Sequence, residues 1–244
     1  MGMSGGVANR NLDWPDCRNA RDLGGLPCAT GLTRSGVIVR SDNVSSLTTD
    51  GIRAMWDYGI KAVLDLRSEG EIAKRPSPFE PADYGPLYLH VPLVDDAFAD
   101  TLGQVTAMPD RYLMMLDQRQ EAIGDIMKTI ARVDGPLVFH CFAGKDRTGL
   151  IAAMLLSLAG ADRDAIGADY AATDEQLASR YEEWIAGAPA DRVEAMRHEL
   201  RCPPGWMLGA LDHVTEMWGG IPQYLESCGV RPSDLVRLRA KLGG

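Results

Sequence analysis

One stretch constrains this chain more than any other: Leu137-Val-Phe-His-Cys-Phe-Ala-Gly-Lys-Asp-Arg-Thr-Gly-Leu150. An apolar, β-like run ends at His140, a short loop follows, and helical spacing takes over from about Thr148 through Leu158. Cys141 and Arg147 are separated by five residues, two of them small, Ala143 and Gly144. A loop of that length can curl around one tetrahedral anion and turn successive backbone N–H groups inward as a nest. The helix N-terminus behind it adds partial positive charge and free donors. Arg147 can then offer a planar fork to two oxygens of the anion.

The same field acts on the cysteine. A free thiol titrates near ~8.5, but at a helix N-terminus beside cationic groups it falls to ~3.5–7.5. The expectation is a Cys141 thiolate at neutral pH that attacks phosphorus and forms a phosphocysteine. Phe142, Ala143, Gly144, Lys145 and Thr148 complete the substrate-binding loop, with the Thr148 hydroxyl placed to donate to the sulfur. His140 braces the loop rather than acting as a base, since an ionised nucleophile needs none. A lone cysteine at a strand end is ordinarily an inert small hydrophobe. The fixed offsets of His140, Gly144, Arg147, Thr148 and Gly149 around Cys141 argue against that reading here. A nucleotide-binding P-loop is excluded by pattern, because Gly144-Lys145 is followed by Asp146 and the earlier glycine position holds Phe139.

The rest of the chain supplies a small sheet and many helices. Runs rich in Val, Ile or Leu and flanked by turn residues lie at 37–40, 62–66, 87–91 and 137–140. A Thr-Thr-Asp cap signal opens a helical pattern from Thr48 to Tyr58, and 109–133 carries Leu113, Leu116, Ile123, Ile126, Met127 and Ile130 at near-helical spacing. From Thr148 onward the chain reads helical, with breaks at Gly160, 187–189, 203–205 and 219–222. The expectation is one α/β domain over 1–244, with a small central, mostly parallel sheet flanked by helices and a helical C-terminal half. Segment 165–201 sets Tyr170, Tyr181 and Trp184 among many charges. It reads either as a solvated helical pair completing the domain or as a mobile lid over the pocket.

Composition narrows the partners. The 244 residues can bury a sizeable core. A net charge of −9, from 25 basic against 34 acidic residues, speaks against nucleic acid. A phosphorylated substrate needs only a locally positive pocket. Five widely spaced cysteines with no Cys-x-x-Cys pair argue against disulfides or zinc and for a reducing compartment. Neither metal nor organic cofactor is implied. No apolar run approaches the ~18–20 residues of a membrane span, so no stable membrane insertion is expected. Residues 1–10 lack an apolar signal core and read as a frayed end of a cytoplasmic protein, although leaderless secretion would leave no mark there.

The pattern His-Cys-x5-Arg-Thr-Gly at 140–149 resembles the signature of the cysteine-dependent protein tyrosine and dual-specificity phosphatases. The fuller string looks like a bacterial branch whose members act on phosphotyrosine, sometimes phosphoserine or phosphothreonine, and phosphoinositides. Further stretches are similar to that branch: Asn19-Ala-Arg-Asp-Leu-Gly-Gly25, Arg40-Ser-Asp42 before Leu47-Thr48, and Asp65-Leu-Arg-Ser68 with Glu71. Gly219-Gly-Ile-Pro-Gln-Tyr-Leu225 and Leu238-Arg239 look like its closing helices. The resemblance spans nearly the whole chain. It implies a tyrosine-phosphatase-like fold, a phosphorylated protein or phosphoinositide as substrate, and inorganic phosphate as a ligand of the loop.

It also implies a general acid inside the loop, at Asp146, to protonate the departing oxygen, an effect worth ~10²–10⁴-fold. Asp95 and Asp96 are the alternatives. Lys145 either widens the positive field toward substrates with more than one phosphate or is a solvated side chain. Arg21 with Asp22 and Asp65 with Arg67 read as buried pairs that hold the loop from behind. Tyr170 and Asp174 read as scaffold, with a substrate contact as the alternative, and Cys17, Cys28, Cys202 and Cys228 as packing residues. Two rival functions remain: a rhodanese-type sulfurtransferase working through a persulfide, and a non-catalytic phosphate-binding module.

Overall fold

The structure, a computed structural model, describes residues 9–79 and 85–243. The stretch 1–8, most of the expected frayed end, lies outside the described residues. In chain order the elements begin with β1 (Arg21–Asp22), the small hairpin β2 (Pro27–Cys28) and β3 (Gly31–Leu32), and β4 (Ile38–Ser41). Next come α1 (Thr49–Asp57), β5 (Ala62–Asp65), α2 (Glu69–Lys74), β6 (Leu87–His90), α3 (Asp96–Gly103), α4 (Met108–Gln118) and α5 (Gln120–Arg132). Then follow β7 (Leu137–His140) and α6 (Asp146–Leu158). The C-terminal half is α7 (Arg163–Gln176), α8 (Ala178–Ala186), α9 (Val193–Leu200), α10 (Pro204–Trp218), α11 (Ile221–Ser227) and α12 (Pro232–Leu242).

The main sheet runs β1-β4-β7-β5-β6. Its β4–β7, β7–β5 and β5–β6 pairs are parallel, and β1 alone joins antiparallel to β4. In-register partners Ser41, His140 and Asp65 finish at one edge of β4, β7 and β5, so the chain leaves all three strands on the same side. That edge is where an open parallel sheet presents its ligands. Central strands are buried on both faces, and successive residues alternate between two cores. Ile38, Leu64, Leu137 and Phe139 face the larger core, which holds α4, α5, α6 and α10 to α12. Val39, Val63 and Val138 face the smaller one with Trp14, Val44 and Met55.

The helix behind the cysteine loop is apolar on every side. Residues from Thr148 to Leu156 are all buried, which places α6 through the middle of the larger core and fixes its N-terminus against β7. The other elements follow the sequence reading with small shifts. The 109–133 pattern is two helices rather than one, parted at Arg119, whose φ of −117° and ψ of 29° leave the helical region. Thr48 caps α1 by accepting from the Gly51 N–H at 3.3 Å. The expected breaks fall at helix ends, with Gly160 at φ 75° and Gly219 at φ 86°. No helix among the described residues is long and apolar enough to cross a membrane.

Candidate active site

The loop between β7 and α6 is defined by where its backbone groups go. Every carbonyl from 141 to 145 is bound from behind. Cys141 C=O meets His140 Nδ1 at 3.1 Å, and Phe142 C=O accepts the Asn43 N–H at 3.0 Å. Asn19 Nδ2 donates to Ala143 C=O at 2.9 Å, and Gly144 C=O accepts from Arg40 Nη2 at 2.7 Å. Lys145 C=O takes the Gly149 N–H at 2.8 Å as the first turn of α6. By contrast, among the described residues no hydrogen bond uses the N–H groups of residues 142 to 148. With all carbonyls tied outward, the donors turn into the concavity, and buried N–H groups without partners mark a place for an anion. Gly144 allows the tight approach. It has φ 66°, and a Cβ there would stand 2.4 Å from the Ser41 carbonyl oxygen.

Charged residues behind the loop hold it in this shape. Asp169, on α7, collects Arg10 Nη2 at 2.8 Å, Arg21 Nε at 3.2 Å and Arg40 Nη1 at 2.7 Å. Burial pushes the Asp169 carboxyl up, but the Arg21, Arg40 and Arg10 charges outweigh it and hold it far below the usual range. Arg21 is therefore paired with Asp169 rather than with Asp22, whose carboxylate accepts from the Gly24 and Gly36 N–H groups. Asp65 and Arg67 do form the expected buried pair, at 2.6 Å. Asp65 Oδ2 lies 3.6 Å from His140 Nε2, too far for a hydrogen bond. Burial lowers the His140 pKa against the pull of Asp65, so the ring is neutral, with its proton on Nδ1 toward Cys141 C=O.

The reacting groups lie at the loop's ends. Cys141 is 2% exposed, at the floor. Arg147, in the first turn of α6, makes a bidentate pair with Glu71 at 2.5 and 2.8 Å. Burial opposes the Arg147 charge, but the Glu71 hydrogen bonds and the field of Cys141 outweigh it, so the guanidinium stays cationic. Glu71 is also the capping-box residue of α2, accepting from the Ser68 N–H at 2.9 Å. One carboxylate thus fixes a helix start and aims the arginine. Ser68-x-x-Glu71 is legible in the sequence as a cap signal, but nothing there pairs Glu71 with Arg147.

Asp146 opens α6 and borders a cleft of about 570 Å³ with Arg147, Glu71, Val94, Met108 and Met115. The alternative acids are placed differently. Asp95 caps α3 through the Phe98 N–H at 2.8 Å and pairs with Arg119 at 2.8 Å. Asp96 reaches the cleft, but its oxygens accept from Ser68 Oγ and the Gly70 N–H. Lys145 is neither solvated nor open to a substrate in this arrangement: it is 2% exposed, with its ammonium donating to Glu199 C=O and lying over the Trp206 ring. Thr148 is fully buried, and its hydroxyl has no partner among the described residues, so the expected bond to the cysteine sulfur is not made here. Asp174 accepts the Cys202 N–H, and Tyr170 is buried. Burial pushes the Cys202 and Cys228 thiols up to about 12 and about 11, and Cys17 higher than its ordinary value as well, so these three are inert. Among the described residues no cluster of three His, Cys, Asp or Glu side chains is placed to hold a metal.

A phosphate-sized nest at a strand-to-helix edge, with a cysteine on its floor and an arginine at its rim, defines the cysteine-dependent phosphatases as a class. A model of the tyrosine phosphatase family matches residues 12–244, and the chain belongs to that family. It is a hydrolase of phosphate monoesters that works through a phosphocysteine intermediate. A tyrosine-protein phosphatase of Nostoc commune is 29% identical, over 88% of this chain and 77% of its own. The triple specificity protein phosphatase PtpB of Mycobacterium tuberculosis is 29% identical, over 94% of this chain and 98% of its own. A crystal structure of P. aeruginosa TpbA overlays loosely, with TM-score 0.30 and 19% identity over 72% of this chain and 87% of that one.

Proposed function

We propose that Cys141 is the nucleophile, Arg147 the clamp on the transferring phosphoryl group, and Asp146 the acid that protonates the leaving oxygen. What carries this reading is the loop backbone. Its carbonyls are all bound from behind and the N–H groups of 142 to 148 are left without partners around Cys141. Those donors and Arg147 meet the equatorial oxygens as charge develops on them, the largest contribution such a site can make. In the first step a sulfur–phosphorus bond forms as the phosphorus–oxygen bond breaks, and the leaving oxygen takes the Asp146 proton. In the second, Asp146 takes a proton from water as the water oxygen bonds to phosphorus and the sulfur–phosphorus bond breaks, which returns the Cys141 thiolate and releases inorganic phosphate. Phe142, Ala143, Gly144, Lys145 and Thr148 serve through their N–H groups rather than their side chains.

Phosphotyrosine is the substrate class the site fits best. An aryl group leaving the loop beside Asp146 meets the apolar wall of Val94, Met108 and Met115. A polyphosphorylated headgroup is the second reading. Lys145 is engaged elsewhere, but Lys74 and Arg75 are exposed beside Phe142 along a smaller groove of about 320 Å³ and can meet a second phosphate. The lid reading of 165–201 draws support from α8 and α9, which rest on the loop. Trp184 stacks on Phe142 with ring centres 5.7 Å apart, and Glu199 C=O holds Lys145.

The test is hydrolysis of p-nitrophenyl phosphate and of a phosphotyrosine peptide, both with EDTA present. Metal-free turnover is expected, lost in Cys141→Ser, with a loss of about 10²-fold or more for Asp146→Asn on the peptide. A wild type that binds vanadate but turns over neither substrate would leave a phosphate-binding module as the better account.

A further inference from the structure

Asp146 is held by a buried pair of tyrosines that the reaction scheme above does not use. Tyr112 OH, on α4, donates to Asp146 Oδ1 at 2.5 Å. Tyr112 OH also lies 2.6 Å from Tyr170 OH on α7. A phenol has one proton to give. Tyr112 gives its proton to the carboxylate, so Tyr170 must be the donor in the second bond. The order is Tyr170 to Tyr112 to Asp146. Both rings are buried, at 0% and 1% exposure, and they pack edge to face. Lys145 Nζ stands 3.3 Å from the same Oδ1. No hydrogen bond among the described residues engages Oδ2, and Asp146 borders the cleft beside Arg147.

We infer that Tyr112, backed by Tyr170, is a positioning residue for the phosphatase reaction: it anchors Asp146 through Oδ1 and so presents Oδ2 to the leaving oxygen. The inference rests on the reading of Asp146 as the acid. Oδ1 remains an acceptor whether or not Oδ2 carries a proton, so the tether holds through both half-reactions. No proton of Tyr112 moves. Burial, followed by the charge of Asp146, pushes both phenol pKa values well above the ordinary tyrosine range, and both hydroxyls stay protonated donors. The arrangement answers a definite need. Asp146 sits on the first turn of a helix with one rotatable Cα–Cβ bond beside a charged Arg147. Without a tether its carboxyl would be drawn to that cation rather than to the substrate.

The experiment is kcat/KM for a series of aryl phosphates, from p-nitrophenyl to phenyl, in wild type, Tyr112→Phe, Asp146→Asn and the double variant. A poor leaving group depends on a well-placed acid and a good one does not. Tyr112→Phe is expected to lose about tenfold on phenyl phosphate and under about twofold on p-nitrophenyl phosphate. Asp146→Asn should show a steeper dependence, and the double variant one no steeper than Asp146→Asn. A uniform loss across the series, or none, in Tyr112→Phe overturns the inference while a steep Asp146→Asn keeps the acid assignment. A flat Asp146→Asn series overturns the acid assignment and the inference together. Should Tyr112→Phe not fold by circular dichroism, Tyr170→Phe reads the same slope. A smaller steepening supports the positioning role, and an unchanged slope overturns it.

Discussion

At the residue scale the site depends on atoms with no alternative placement. Gly144 is the clearest case, because its φ of 66° and the 2.4 Å approach of a Cβ to Ser41 C=O act together. Gly144→Ala is expected to cost about 3 kcal/mol, from left-handed strain of ~1–2 kcal/mol plus a backbone displacement. Chemical denaturation should read that loss, and activity should fall further than stability, since the displaced Gly144 backbone is itself part of the nest. Glu71 is a second case. Glu71→Gln keeps the shape and removes the charge that aims Arg147, so kcat/KM on a phosphotyrosine peptide should drop roughly tenfold or more. Unchanged kinetics with an intact fold would mean that Arg147 finds its orientation without Glu71.

At the scale of elements, the order β1-β4-β7-β5-β6 gathers three strand ends at one edge, and α7 ties β1 and β4 together through Asp169. Removing one member of a buried charge cluster leaves the others uncompensated, at about 3–5 kcal/mol. Asp169→Asn, which strands Arg21 and Arg40 at 0% and 1% exposure, should therefore lower Tm by well over 5 °C. Much of this scale was readable beforehand. Runs rich in Val, Ile or Leu between turn residues located β4, β5 and β7 to within a residue, and capping and glycine signals located the helix ends. The join between α4 and α5 was not readable. Arg119 is a good helix former, and its departure from helical geometry lets both helices bury faces against α10 and α12.

At the scale of the whole molecule, buried titratable groups behind the nest make stability depend on pH. The native His140 pKa lies below its unfolded value of ~6.5, so below that pH the unfolded chain binds a proton that the native chain refuses. Stability is full above ~6.5 and declines as pH falls. Asp65 adds a second window. Burial raises it, but His140 and the Arg67 fork outweigh that and set it at about 2, against ~3.9 unfolded. That contribution is present above ~4 and lost as pH falls toward about 2. Urea midpoints between pH 8 and 5 should fall steadily, and more gently in His140→Gln. Equal slopes in the two proteins would assign the decline to other groups.

The chain by itself determined the loop, because Cys141, Asp146 and Arg147, the residues proposed to carry the reaction, lie within one strand–loop–helix whose local geometry follows from neighbouring residues. It also made the central strands β4, β5 and β7 legible as apolar runs between turn residues, whereas β1, the charged pair Arg21–Asp22, carried no such signal. Tertiary structure alone decided what surrounds those three residues. Glu71 lies 76 positions before Arg147, Tyr112 lies 34 before Asp146, and Asp169 lies 148 after Arg21. A charged or hydroxyl side chain read singly looks solvated, and Lys145 misled for that reason. Whether such a group is buried, and which partner offsets its lost hydration, is settled only when distant segments pack and water is gone.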